Sequence, residues 1–88
     1  MKISVSENDL RDTYVTALNN PISLALHRVT GSLWYVFDGS SVCCTREPLR
    51  PIGLPPKVAL WWREFHMAEN PSPLEFYLEI ESFLQTDG

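Results

Sequence analysis

Apolar positions recur along this chain with two different spacings, and the places where the spacing changes mark its elements. Lys2-Ile3-Ser4-Val5-Ser6 alternates, which suits a first strand with Ile3 and Val5 facing inward. Ser6-Glu7-Asn8-Asp9-Leu10 then offers a cap and early acids for a short helical turn. Leu10, Tyr14 and Leu18 continue at helical spacing, but Thr13, Val15 and Thr16 are poor helix formers, so residues 10–19 read equally as helix or loop. From Asn20 the spacing is helical: Asn20 is placed to cap, Pro21 to open and Gly31 to end a helix that buries Ile22, Ala25, Leu26 and Val29. Leu33–Phe37 is rich in strand formers. With the turn signal Asp38-Gly39-Ser40 and the run Ser41–Thr45, it predicts a β-hairpin.

Arg46–Gly53 holds too much proline for a central strand and reads as an extended connection with brief edge pairing. The stretch Leu54–Met67 follows, opened by Pro55 or Pro56, with Val58, Trp61, Trp62 and Phe65 on one helical face. Burying such side chains fully is worth roughly 1.5–3 kcal/mol each, so this face is expected to anchor the core. The helix should stop before Asn70-Pro71, because proline disfavours the helical conformation in its predecessor. Leu74–Glu81 then alternates throughout, with Leu74, Phe76, Leu78 and Ile80 inward and Glu75, Tyr77, Glu79 and Glu81 outward. Phe83 and Leu84 are the apolar residues of a tail expected to fray.

One-sided helices and one-sided strands bury their apolar faces against each other. The expected fold is therefore α+β: a two-layer sandwich in which an antiparallel sheet of about four strands carries two main helices on one face. The order βαββαβ makes a ferredoxin-like topology the leading arrangement. At 88 residues and 44% hydrophobic, the chain is expected to form a single domain spanning residues 1–88. Its apolar runs are too short and too often broken by charge to span a bilayer, and Lys2–Glu7 lacks the apolar core of a signal peptide. A cytoplasmic protein without a membrane partner is the expectation.

Charge changes the picture more than composition does. The net charge is −4, and Arg46, Arg50, Lys57 and Arg63 lie mid-chain, whereas no Lys or Arg follows Arg63. The C-terminal third carries Glu64, Glu69, Glu75, Glu79, Glu81 and Asp87. This balance argues against broad contact with phosphate backbones and suits a basic protein partner.

Candidate chemistry is sparse. Adjacent Cys43 and Cys44 point to opposite faces of a strand and cannot bridge without distortion, so both are expected reduced, one in the core and one half exposed. His27 and His66 are far from them in sequence and read as surface histidines; Glu64 and His66 point apart on their helix. Asp38 fits its turn, and Asp38-Gly39-Ser40-Ser41 is not a nucleophile elbow. No catalytic residue, metal site or cofactor is assigned. The candidate partner-binding residues are surface ones. Glu75, Tyr77, Glu79 and Glu81 form an acidic, aromatic sheet face, with Tyr35 and Phe37 or Trp34 as candidate neighbours. Leu60, Arg63 and Met67 form a second patch, with Leu60 and Met67 about 180–200° from Val58 around the Leu54–Met67 helix.

The segments Asn20-Pro21-Ile22-Ser23-Leu24-Ala25-Leu26, Leu54-Pro55-Pro56 with Trp61, Trp62 and Phe65, and Pro73-Leu74-Glu75-Phe76 resemble a family of small uncharacterised proteins encoded in bacteriophage genomes. These motifs build a fold and carry no catalytic residue. Members of that family have cysteine where this chain has Asn20, so the resemblance implies no shared cysteine function. It implies a small phage accessory protein working in the host cytoplasm by binding and blocking a host component, such as a CRISPR effector. The expected function is thus a non-enzymatic protein-binding module, an anti-CRISPR-like inhibitor that occupies a basic surface. Two alternatives stand beside it: a ferredoxin-like nucleic-acid-binding domain that stacks bases on sheet aromatics, and a homodimeric structural accessory protein joined through an edge strand or through Leu60 and Met67.

Overall fold

A computed structural model of the chain describes residues 1–11, 16, 18–67 and 72–80. Its elements in order are β1 (Lys2–Val5), α1 (Glu7–Arg11), α2 (Pro21–Thr30), β2 (Trp34–Phe37), β3 (Ser41–Cys44), β4 (Ile52–Gly53), α3 (Pro56–His66) and β5 (Leu74–Tyr77). This is an α+β protein with antiparallel sheets. The described strands do not join into one four-stranded sheet, however. β1 pairs with β5 in a two-stranded sheet, while β2, β3 and β4 form a three-stranded one. A ferredoxin-like order would set β1 beside β3 in a parallel pair. Here β2 holds one edge of β3, and β4 takes the other through the pairs Ser41–Gly53 and Val42–Ile52. The proline-rich connection after β3 is what returns the chain to that edge.

Each element forms for a local reason. Ser6 and Asp9 make a reciprocal cap for α1: the Ser6 N–H donates to Asp9 Oδ2 (2.8 Å) and the Asp9 N–H to Ser6 Oγ (3.3 Å). Asp9 is buried, and its other oxygen pairs with the Arg28 guanidinium, which also donates to the Ser4 carbonyl. One arginine of α2 thus ties together the end of β1 and the start of α1. Tyr14 lies outside the described residues, as do the expected stop at Asn70-Pro71 and the tail with Phe83 and Leu84.

In α2, Asn20 Oδ1 accepts the Ser23 N–H at 2.8 Å and Pro21 opens the helix. Gly31 closes it in the left-handed conformation, φ 75°, with its N–H on the His27 carbonyl at 2.8 Å. Asn20 is fully buried, and its Nδ2 donates to the Thr16 carbonyl at 2.7 Å. Asn20→Ala is therefore expected to cost about 1–2 kcal/mol, the upper range for a lost cap, measured as a lower urea midpoint at unchanged slope.

The core is one cluster in which Ile3 and Val5 of β1, Ile22 and Leu26 of α2, Trp34 and Val36 of β2, Val42 and Cys44 of β3, Val58 and both tryptophans of α3, and Phe76 of β5 are buried. Helix α2 packs on β1 and β2, and α3 on β5. The alternation read for the last strand continues beyond β5, with Leu78 and Ile80 buried and Glu79 exposed. Trp34 is the most deeply placed indole: it is fully buried, with Nε1 donating to Thr30 Oγ1 at 2.8 Å. It therefore cannot stand beside Tyr77 on an open face. Phe65, expected in the anchor, is only half buried.

Candidate functional site: an acidic sheet face beside an apolar groove

The outer face of the two-stranded sheet is built by register. Partners facing each other across an antiparallel pair put their side chains on the same side, so the pairs Lys2–Tyr77 and Ser4–Glu75 share the solvent face while Ile3–Phe76 and Val5–Leu74 share the inner one. All four solvent-facing residues are exposed. Tyr77 is 72% exposed, an unusual setting for a large ring with an apolar body. Lys2 Nζ reaches Glu75 Oε2 at 3.4 Å, a surface pair of small energetic consequence. Glu79 lies two residues beyond Tyr77, also exposed. Glu81, the third acid of the expected face, lies outside the described residues.

Beside this face runs an open groove of about 490 Å³, with Ile52, Gly53, Leu54 and Pro55 on one wall and Tyr77, Leu78 and Glu79 on the other. The walls are held in place by α3. Pro55 caps that helix and Pro56 opens it, so the groove runs up to its entry. From the middle of α3, Trp61 Nε1 donates to the Ser72 carbonyl at 2.8 Å, tethering the helix to the approach to β5. The Trp61 and Phe65 rings stack with centroids 5.5 Å apart and planes 3° apart.

Both walls are sheet edges. Met1 and Leu78 exchange backbone bonds, Met1 nitrogen to the Leu78 carbonyl at 2.7 Å and Leu78 N–H to the Met1 carbonyl at 2.9 Å. Bonded and non-bonded pairs alternate along an antiparallel ladder, so the N–H and C=O of Tyr77, opposite Lys2, point away from β1. On the other wall the Leu54 N–H donates to the Ser40 carbonyl at 2.8 Å. By the same alternation the N–H and C=O of Gly53, opposite Ser41, point away from β3.

The second expected patch exists as exposed residues: Leu60 is 61% and Met67 63% exposed, with Arg63 exposed between them on the outer side of α3. None of the three lines the groove. Tyr35 and Phe37 stack on each other, centroids 6.3 Å apart, but they sit on β2 in the three-stranded sheet, not in the sheet that carries Tyr77.

Asp38 and both histidines are held by local hydrogen bonds. Asp38 Oδ1 accepts from the Ser40 N–H within the turn. His66 Nδ1 donates to the Trp62 carbonyl at 3.0 Å, and His27 Nδ1 to the Ser32 carbonyl at 3.1 Å. Cys43 and Cys44 are both free and both buried, correcting the expectation that one is half exposed. The residues after β3 fold over Cys43, whose Sγ donates to the Glu47 carbonyl at 3.4 Å. Among the described residues no group of three His, Cys, Asp or Glu side chains is placed to hold a metal ion, and no helix is long and apolar enough to cross a membrane.

The groove's long-range half was not legible in the sequence. Residues 52–55 read as a connection and a helix start, and the prolines at 48 and 51 are the one local sign that the strand they introduce stays at an edge. Compared with known proteins, the chain matches no family model, no curated protein and no solved structure.

Proposed function

We propose that this protein is a non-enzymatic binding module that docks the face around Tyr77 onto a basic protein surface. The observation that carries the reading is the exposed Tyr77 ring, set between Glu75 and Glu79 at the mouth of the groove. An aromatic side chain with two χ angles supplies contact area at low entropic cost, and flanking carboxylates steer and orient a cationic partner. The chain's net charge of −4 works in the same direction at longer range. An inhibitor that blocks the basic nucleic-acid-binding groove of a host effector is a narrower use of the same surface, and it is part of this proposal.

The test is capture of a partner from host lysate by the immobilised protein, with Glu75→Lys/Glu79→Lys beside it. Both positions are exposed, so the variant is expected to fold. The reversal is expected to lower capture about tenfold or more at low salt, and rising salt to weaken the unaltered protein's binding. Equal capture by both proteins would reject the reading, and a salt-sensitive gel shift with single-stranded nucleic acid alone would replace it with the phosphate-binding one.

A further inference from the structure

Building on the docking face just described, we infer that the groove accepts an extended, basic segment of a partner protein as an added β-strand between β4 and β5. The inference rests on backbone, where the docking face rests on side chains. Gly53 on one wall and Tyr77 on the other each turn an N–H and a C=O away from their own ladders, and no described residue takes them up. A sheet edge with unsatisfied donors and acceptors is the ordinary substrate for strand addition. Two such edges facing one groove offer a strand a ladder on either side. The backbone there is uncrowded as well: a Cβ placed on Gly53 would meet nothing within 4 Å.

The occupant follows from charge. A second copy of this chain is disfavoured, because antiparallel pairing of two β5 edges about Tyr77 would set Glu75 of each copy opposite Glu79 of the other, and like charges directly across a ladder repel. Those same carboxylates favour a strand whose outward positions carry Lys or Arg. Its alternate, inward positions would meet Ile52, Leu54 and Pro55, so small apolar side chains suit them. The recognised class is an extended peptide alternating basic and β-branched residues.

The experiment titrates a short synthetic peptide of alternating lysine and valine, ends blocked, into the full chain and follows amide hydrogen exchange. Exchange at Gly53 and Tyr77 is expected to slow on binding. Tyr77→Pro removes the groove-facing donor without deleting a bond to β1, whereas Tyr77→Thr removes only the ring. The proline variant is expected to bind the peptide about tenfold more weakly than the threonine variant. Gly53→Pro against Gly53→Ala repeats the comparison on the other wall and decides the matter if Tyr77→Pro fails to fold. Equal affinity within each pair would overturn the inference. So would peptide binding with exchange at both amides unchanged, self-association through this edge in sedimentation, or no binding of the peptide at all. Those results would leave the docking face standing wherever Glu75→Lys/Glu79→Lys still lowers partner capture about tenfold or more, so the two failures are distinguishable.

Discussion

Trp34→Ala is expected to cost about 3–5 kcal/mol, the range for deleting a buried tryptophan, and to lower Tm by roughly 4–8 °C per kcal/mol for a chain of this size. The residue earns that rank by position. It is fully buried, whereas Trp61 and Trp62 are 6% and 8% exposed, and it lies where α2 and β2 meet. Its backbone carbonyl accepts Ser23 Oγ from the first turn of α2 at 2.8 Å, and its Nε1 reaches Thr30 at the last residue of the same helix. One residue thus fixes both ends of α2 to β2. The conservative Trp34→Phe keeps most of the apolar area and loses the bond to Thr30, whose oxygen still donates to the Leu26 carbonyl and accepts the Ser32 N–H. That change should cost about 1–2 kcal/mol. Half-buried Phe65, replaced by alanine, should cost less than Trp34→Ala. Chemical denaturation of the three variants checks the order, and a Phe65→Ala loss equal to that of Trp34→Ala would return the anchor to the α3 stripe.

That ranking shows what local pattern conveys and what it does not. Caps, hairpin and stripes were legible because their causes sit within a few residues: Asn20 and Pro21 for α2, Asp38 and Gly39 for the turn, Pro55 and Pro56 for α3. Depth was not. Trp34 sits in a run of strand formers where any alternate residue could have been the inward one, and only the helix that comes to lie over it decides. Strand partnership was equally hidden, since Ile52 and Gly53 gain their places from β3 and owe little to their own short stretch. Cys43 is buried for a similar reason, being covered by a connection whose path a local reading leaves open.

The candidate site divides along the same line. Period-two alternation put Glu75, Tyr77 and Glu79 outside, and they are outside. Leu60, Arg63 and Met67 were placed outward by the 100° step of a helix and are exposed as well. The groove that gives Tyr77 and Glu79 a neighbour depends on β4 and β5 ending in different sheets, which no periodicity encodes. Exposure of a side chain is a local property, whereas concavity is a property of the assembled chain.

Gly39→Ala is expected to destabilise the protein by about 2–4 kcal/mol, from two sources. Asp38 and Gly39 both take positive φ, 42° and 76°, within the three-residue turn that joins the paired residues Phe37 and Ser41. An L-residue at position 39 would hold that φ under strain of about 1–2 kcal/mol. The second source is contact with α3: a Cβ at Gly39 would fall 2.5 Å from Trp62 Cβ and 2.7 Å from Trp62 Cγ. These atoms are anchored close to the helix backbone and cannot swing aside, so either the hairpin or α3 must move. Gly39→Asn separates the sources, because asparagine tolerates positive φ while carrying the same Cβ. If contact dominates, the asparagine variant should lose nearly as much stability as the alanine variant in urea denaturation; recovery of most of the loss would show instead that Trp62 yields and that strain alone holds glycine at the turn.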